Sequence, residues 1–173
     1  RLGHLAAAEA DFRAAIEHPR LAFEGAPEIA RFRQFLSNHY WNLGQFLKRQ
    51  GRAREALEIA LERKRLWLGD AERLFGVAVE LAAAAAAEGG EQVEPDPRQS
   101  AEWADQVVLA LEEAVAAGFG DAGRVRSQPE FDLVRGHPRF KQILEAIDSG
   151  IESAGAEGRA GQQMASTNKQ ATS

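Results

Sequence analysis

Along most of the chain, apolar side chains recur every three or four positions, the interval that puts them on one face of an α-helix. Leu5, Ala8, Phe12, Ala15 and Ile16 form the first such series. They predict a helix over 5–18 that ends at Pro19, because proline lacks the N–H a helix interior needs. Residues 19–26 then read as a connector. Pro27 suits a first helical position, and Ile29, Phe32, Leu36, Tyr40, Leu43 and Leu47 carry the period on to Gly51, where a glycine can close the helix with positive φ. A third helix is predicted from Arg52 to about Leu68, with Ala53, Ala56, Leu57, Ala60 and Leu61 inside. A fourth runs from about Asp70 to Glu88, with the Asp70 carboxylate as its N-cap.

The stretch from Gly89 to Pro97 has breakers at both ends and reads as a loop. A fifth helix follows from near Arg98 to Gly118, with Ala101, Ala104, Val108, Leu111 and Val115 as its inner face. After a glycine-rich turn over 118–123, short helices are expected from Pro129 and from Pro138, carrying Phe131, Leu133, Phe140, Ile143, Leu144 and Ile147. Gly150 to Ser173 is rich in Gly, Ser, Gln and Ala and offers too little apolar surface to offset the entropy of ordering it, so it reads as a disordered tail. Alanine supplies 33 of the 173 residues, a balance that favours close-packed helices over strands. The expected fold class is all-α.

Composition narrows the chemistry. With no cysteine there can be no disulfide, iron–sulfur cluster, thiolate zinc site or cysteine nucleophile. The 21 Lys and Arg against 26 Asp and Glu leave a net charge of −5, so the field of a nucleic-acid binder is missing. The longest apolar run, Leu81 to Ala87, is far short of the ~20 residues that cross a bilayer. No segment resembling a signal peptide follows Arg1, the chain reads as part of a longer polypeptide, and a cytoplasmic location is expected.

His4, His18, His39 and His137 lack metal-motif spacing and read as exposed or capping residues. Glu55, Glu58, Glu62 and the pair Glu112-Glu113 read as solvated carboxylates, and Arg49, Arg52, Arg54 and Arg63-Lys64-Arg65, interleaved with acids, as a solvated charged face. No metal, cofactor or catalytic residue is assigned.

Self-comparison adds a repeat. Tyr40, Leu43, Gly44 and Leu47 recur 34 positions later as Leu74, Val77, Ala78 and Leu81. A second spacing of 48 links Gly3 to Gly51, Ala8 to Ala56, and Ala56 to Ala104, so connectors or helix extensions of about 14 residues interrupt the basic unit twice.

The run Tyr40-Trp41-Asn42-Leu43-Gly44 through Gly51 to Ala56-Leu57 resembles the tetratricopeptide signature of an aromatic, Leu-Gly, an aliphatic residue, Gly and Ala. The unit from Ser37 to Asp70 matches best. The resemblance implies a short right-handed α-solenoid of antiparallel helix pairs over 1–118, its first repeat truncated at the N-terminus, with capping helices over 119–149 and the tail over 150–173. It also implies that Gly44 and Ala56 mark the closest approach of two paired helices. The alanine run Ala82 to Ala87, the segment Ala104 to Phe119 and the end piece Pro129 to Phe140 resemble the C-terminal tetratricopeptide regions of planctomycete-type bacterial serine/threonine protein kinases. This chain has no glycine-rich ATP loop, His-Arg-Asp or Asp-Phe-Gly, so no kinase chemistry carries over onto it.

In that family the positions of Asn38, Trp41, Gln45, Lys48 and Arg49 line the concave groove that receives peptides. An aromatic ring with two cations and two amides suits stacking, an apolar anchor and a carboxylate. The competing expectation is that residues 27–36 or the next repeat cover Trp41 and make it core. Lys and Asn are absent from the positions of Trp41 and Gln45, so the chaperone-binding clamp of some relatives is not expected. The function expected is a non-catalytic scaffold binding a protein, a peptide or a kinase domain in cis, with no nucleic-acid or membrane partner. The alternative is the regulatory tail of a serine/threonine kinase whose catalytic domain lies outside this chain.

Overall fold

The computed structural model describes residues 2–87 and 96–150, and among them every element is helical. Helix α1 spans Leu2–Gly25, α2 Ala30–Arg49, α3 Ala53–Arg65, α4 Ala71–Ala86, α5 Pro97–Ala116 and α6 Ala122–Ser127. A 3-10 helix over Pro129–Val134 follows, and α7 covers 138–150. The expected loop falls mostly on 88–95 and the expected tail on 151–173, both outside the described residues.

The first expectation to fail is the break at Pro19, which sits inside α1. A proline removes one i→i−4 hydrogen bond, here to the carbonyl of Ala15, but the helix resumes if packing holds the next turn. Phe23 supplies that packing by lying against the core, and Arg20 bridges the turn with ion pairs to Glu17 and Glu24, both 2.7 Å. Pro27 is not the start of the second helix either. It lies in a turn ahead of Ala30, closed by Ile29 N–H donating to Ala26 O at 3.1 Å.

The C-terminal end of α2 follows from its glycine. Gly51 has φ +72°, and the chain reverses so that the Arg52 and Gly51 amides donate to the carbonyls of Leu47 and Lys48 at 3.0 and 3.1 Å. Gly118, at φ +105°, ends α5 the same way, with Phe119 and Gly118 donating to Ala114 and Val115. Asp70 caps α4 as expected, its carboxylate accepting from the Arg73 amide at 3.0 Å. Asp121 does the same for α6, which begins within the expected glycine-rich turn over 118–123 and runs past it to Ser127.

Each long helix packs on its neighbours in the chain, α1 on α2, α2 on α3, α3 on α4 and α4 on α5. Their buried side chains form one continuous core from Ile16 to Ile147. The alanines let the backbones approach, and Ala60, Ala78, Ala82, Ala110 and Ala114 are wholly buried. Ala101 is instead exposed on α5, whose inner face is led by Trp103, Val107, Val108 and Leu111. At the C-terminal end, Phe75 of α4 stacks on Phe119 with centroids 4.2 Å apart, and Phe131 and Phe140 extend the cluster edge-on. Leu133, expected inside, is exposed.

Candidate functional site

Helix α2 presents three arcs, and the residues singled out by sequence occupy one of them. Leu36, Leu43 and Leu47 point into the core. Next around the helix come Ser37 and Gly44, buried against α3 and α4. Lys48, Trp41, Gln45, Asn38 and Arg49 then follow within an arc of about 100°. Asn38 and Arg49 are exposed, Gln45 and Lys48 half-buried, and Trp41 is 45% exposed. Trp41 is therefore not covered by residues 27–36 or by α4. Its counterpart 34 positions on, Phe75, is 4% exposed.

A buried polar node lies beneath this arc. Ser37 Oγ accepts from Trp67 Nε1 at 2.8 Å and from Arg63 Nε at 3.0 Å. The Arg63 guanidinium also pairs with Glu80 of α4, joining α2, α3 and α4. The other Glu80 oxygen, Oε1, is buried and has no hydrogen-bond partner among the described residues. Burial pushes the Glu80 carboxyl above its ordinary value, while the charges of Arg63 and Lys48 pull the other way. Ser37 is wholly buried with two donors directed at its oxygen, so it ties elements together and is out of reach as a nucleophile.

The node connects to the surface through Trp67. Arg33 and Arg73 lie over its ring, at 5.1 and 4.7 Å from the ring centroid. Arg73 Nη2 donates to Gln34 Oε1 at 3.0 Å, and Gln34 Nε2 donates to Asn38 Oδ1 at 2.7 Å. The N-terminal end of the exposed arc is thus tied to α4 by hydrogen bonds.

The repeat positions are placed as follows. Leu43, Gly44, Leu47, Ala56, Leu74, Val77, Ala78 and Leu81 are buried, and Tyr40 and Ala104 are partly buried against the core. A Cβ on Gly44 would stand 3.9 Å from the carbonyl oxygen of Ala56, but its nearest neighbour would be Glu80 Oε1 at 3.3 Å. Gly44 therefore marks a meeting of three helices and not of one pair.

The charged face is less solvated than its sequence reads. Arg63 and Lys64 are largely buried, Arg63 on Glu80 and Lys64 on Glu113 of α5 at 3.0 Å. Arg52 joins Glu9 of α1 to Glu55 of α3, and its guanidinium lowers the pKa of both carboxyls. Glu112 pairs with Arg139 of α7. His4 and His18 are exposed and His39 is half-buried, while His137 contacts Asp105 at 3.1 Å and accepts from the Arg139 amide at the start of α7. Among the described residues no three His, Asp or Glu side chains converge as a metal set, and no helix is long and apolar enough to cross a membrane.

Family models, curated proteins and solved structures give no match to this chain. Its function is legible only from its own surface.

Proposed function

We propose that this chain is a non-catalytic interaction module, a short right-handed solenoid of tetratricopeptide-type helix pairs, that receives a protein segment or a neighbouring domain along the exposed arc of α2. The observation that carries this reading is the 45% exposure of Trp41 at a position whose repeat counterpart, Phe75, is core. An indole that keeps nearly half of its surface free beside Asn38, Gln45, Lys48 and Arg49 leaves that surface for a partner, and aromatics desolvated on binding dominate interface energetics.

The reading is tested by comparing wild-type protein with Trp41→Ala and with Leu133→Ala as a surface control, using affinity capture and then titration of what is captured. Loss of a defined partner with Trp41→Ala but not with Leu133→Ala supports it. Equal capture by all three removes it. As a non-catalytic module, the chain incubated with labelled ATP and a generic protein substrate transfers no phosphoryl group.

A further inference from the structure

The α2 arc has a charge pattern that narrows what it can hold. From Ile29 to Arg54 the chain has six arginines and lysines and no aspartate or glutamate. Most carboxylates on α1 and α4 are already engaged, Glu9 with Arg13 and Arg52, Glu17 and Glu24 with Arg20, Glu72 with Arg124, and Glu80 with Arg63, while Asp11 stands exposed on α1. Glu28 is exposed in the turn ahead of α2. By contrast, Arg31, Lys48, Arg49 and Arg73 form no ion pair among the described residues, although the charge of Lys48 is near enough to favour the ionised Glu80 carboxyl.

The cations lie at the two ends of the arc. Arg73 is fastened to Gln34 at one end, with Arg31 close by in sequence, and Lys48 and Arg49 stand at the other. Fourteen residues of helix separate Gln34 from Lys48, about 21 Å at a rise of 1.5 Å per residue, with Trp41 midway. An extended peptide covers that distance in about six residues, at roughly 3.3 Å each. The amides of Asn38 and Gln45 lie one turn to either side of Trp41, where they can donate to and accept from a peptide backbone.

Resting on the docking reading above, we propose that the occupant is an acidic protein segment with one large apolar or aromatic anchor over Trp41 and carboxylates about three residues to either side of it. The net charge of −5 on the whole chain disfavours a long polyanion such as nucleic acid, whose phosphates would extend past the cationic ends of the arc. A short acidic segment stays within them.

Selection of random displayed peptides on the full chain, followed by fluorescence-anisotropy titration of the enriched sequences, tests this. The expected winners carry an acid, anchor, acid pattern. Their affinity falls by roughly tenfold or more with Trp41→Ala and several-fold with Arg49→Gln or Arg31→Gln, two exposed positions that leave the fold intact, and it weakens as salt is raised. Enriched peptides that need Trp41 but are neutral or basic overturn the acidic pattern and leave the docking reading standing. Enrichment of no peptide, or only of peptides indifferent to Trp41→Ala, overturns both. Tighter binding of an oligothymidylate probe than of any enriched peptide assigns the arc to nucleic acid and also overturns the proposal.

Discussion

A side chain begun at Gly44 would meet the carboxylate of Glu80, with its Cβ 3.3 Å from Oε1. That oxygen cannot retreat easily, since Glu80 is buried and its other oxygen is held by Arg63. Gly44→Leu therefore overpacks a junction of three helices and lowers stability by about 1–3 kcal/mol or more. Chemical denaturation reads this directly, and a double-mutant cycle with Glu80→Ala should return a coupling of at least ~0.5 kcal/mol. Independent effects would mean that Gly44 serves only the contact with Ala56.

The same carboxyl gives a signed pH dependence. Its folded pKa lies above the unfolded value because burial disfavours the charged form. The native state thus holds the proton to higher pH, and wild type loses stability relative to Glu80→Gln as pH rises from about 4.5 through the folded value. The loss is about 1.4 kcal/mol for each pH unit separating the two values. A difference between wild type and Glu80→Gln that stays flat from pH 4 to 8 would show that Arg63 fully offsets burial, so that the carboxyl is not raised.

Ser37→Ala removes the oxygen that accepts from both Trp67 and Arg63. Two donors in a closed site lose their acceptor, and the expected cost is about 1–3 kcal/mol by urea denaturation. Near-neutral behaviour would indicate that water replaces the hydroxyl.

Pro19→Ala should stabilise the protein, by up to about 3 kcal/mol, because it restores an N–H to the interior of α1 and relieves the clash with the preceding turn. A lower melting temperature would instead show that the ring's own packing outweighs the missing bond.

Much of the helical order is legible in the sequence because periodicity, capping and glycine chemistry are local. Asp70 at the start of α4 and Gly51 past the end of α2 act through the neighbouring turn, where residue type largely decides. Pro19 misleads for the opposite reason, since the packing of Phe23 comes from elsewhere in the fold and overrides a local penalty. The rotation that exposes Asn38, Trp41 and Arg49 follows from one helix's periodicity. The node beneath them does not, because Ser37, Arg63, Trp67 and Glu80 come from three helices and the turn that joins two of them. One trace of it was visible: Glu80 is the only charged residue between Leu74 and Ala87, a position where an acid needs a buried partner.

The equilibrium stability of Trp41→Ala tests the central claim most directly. If Trp41 keeps nearly half of its surface free for a partner, truncating it lowers the unfolding free energy by no more than about 1–2 kcal/mol, the share that the fold already covers. A loss of about 3–5 kcal/mol, the cost of truncating a core aromatic, would make Trp41 part of the interior. The docking face on α2 and the roles given to Lys48 and Arg49 would then be withdrawn together.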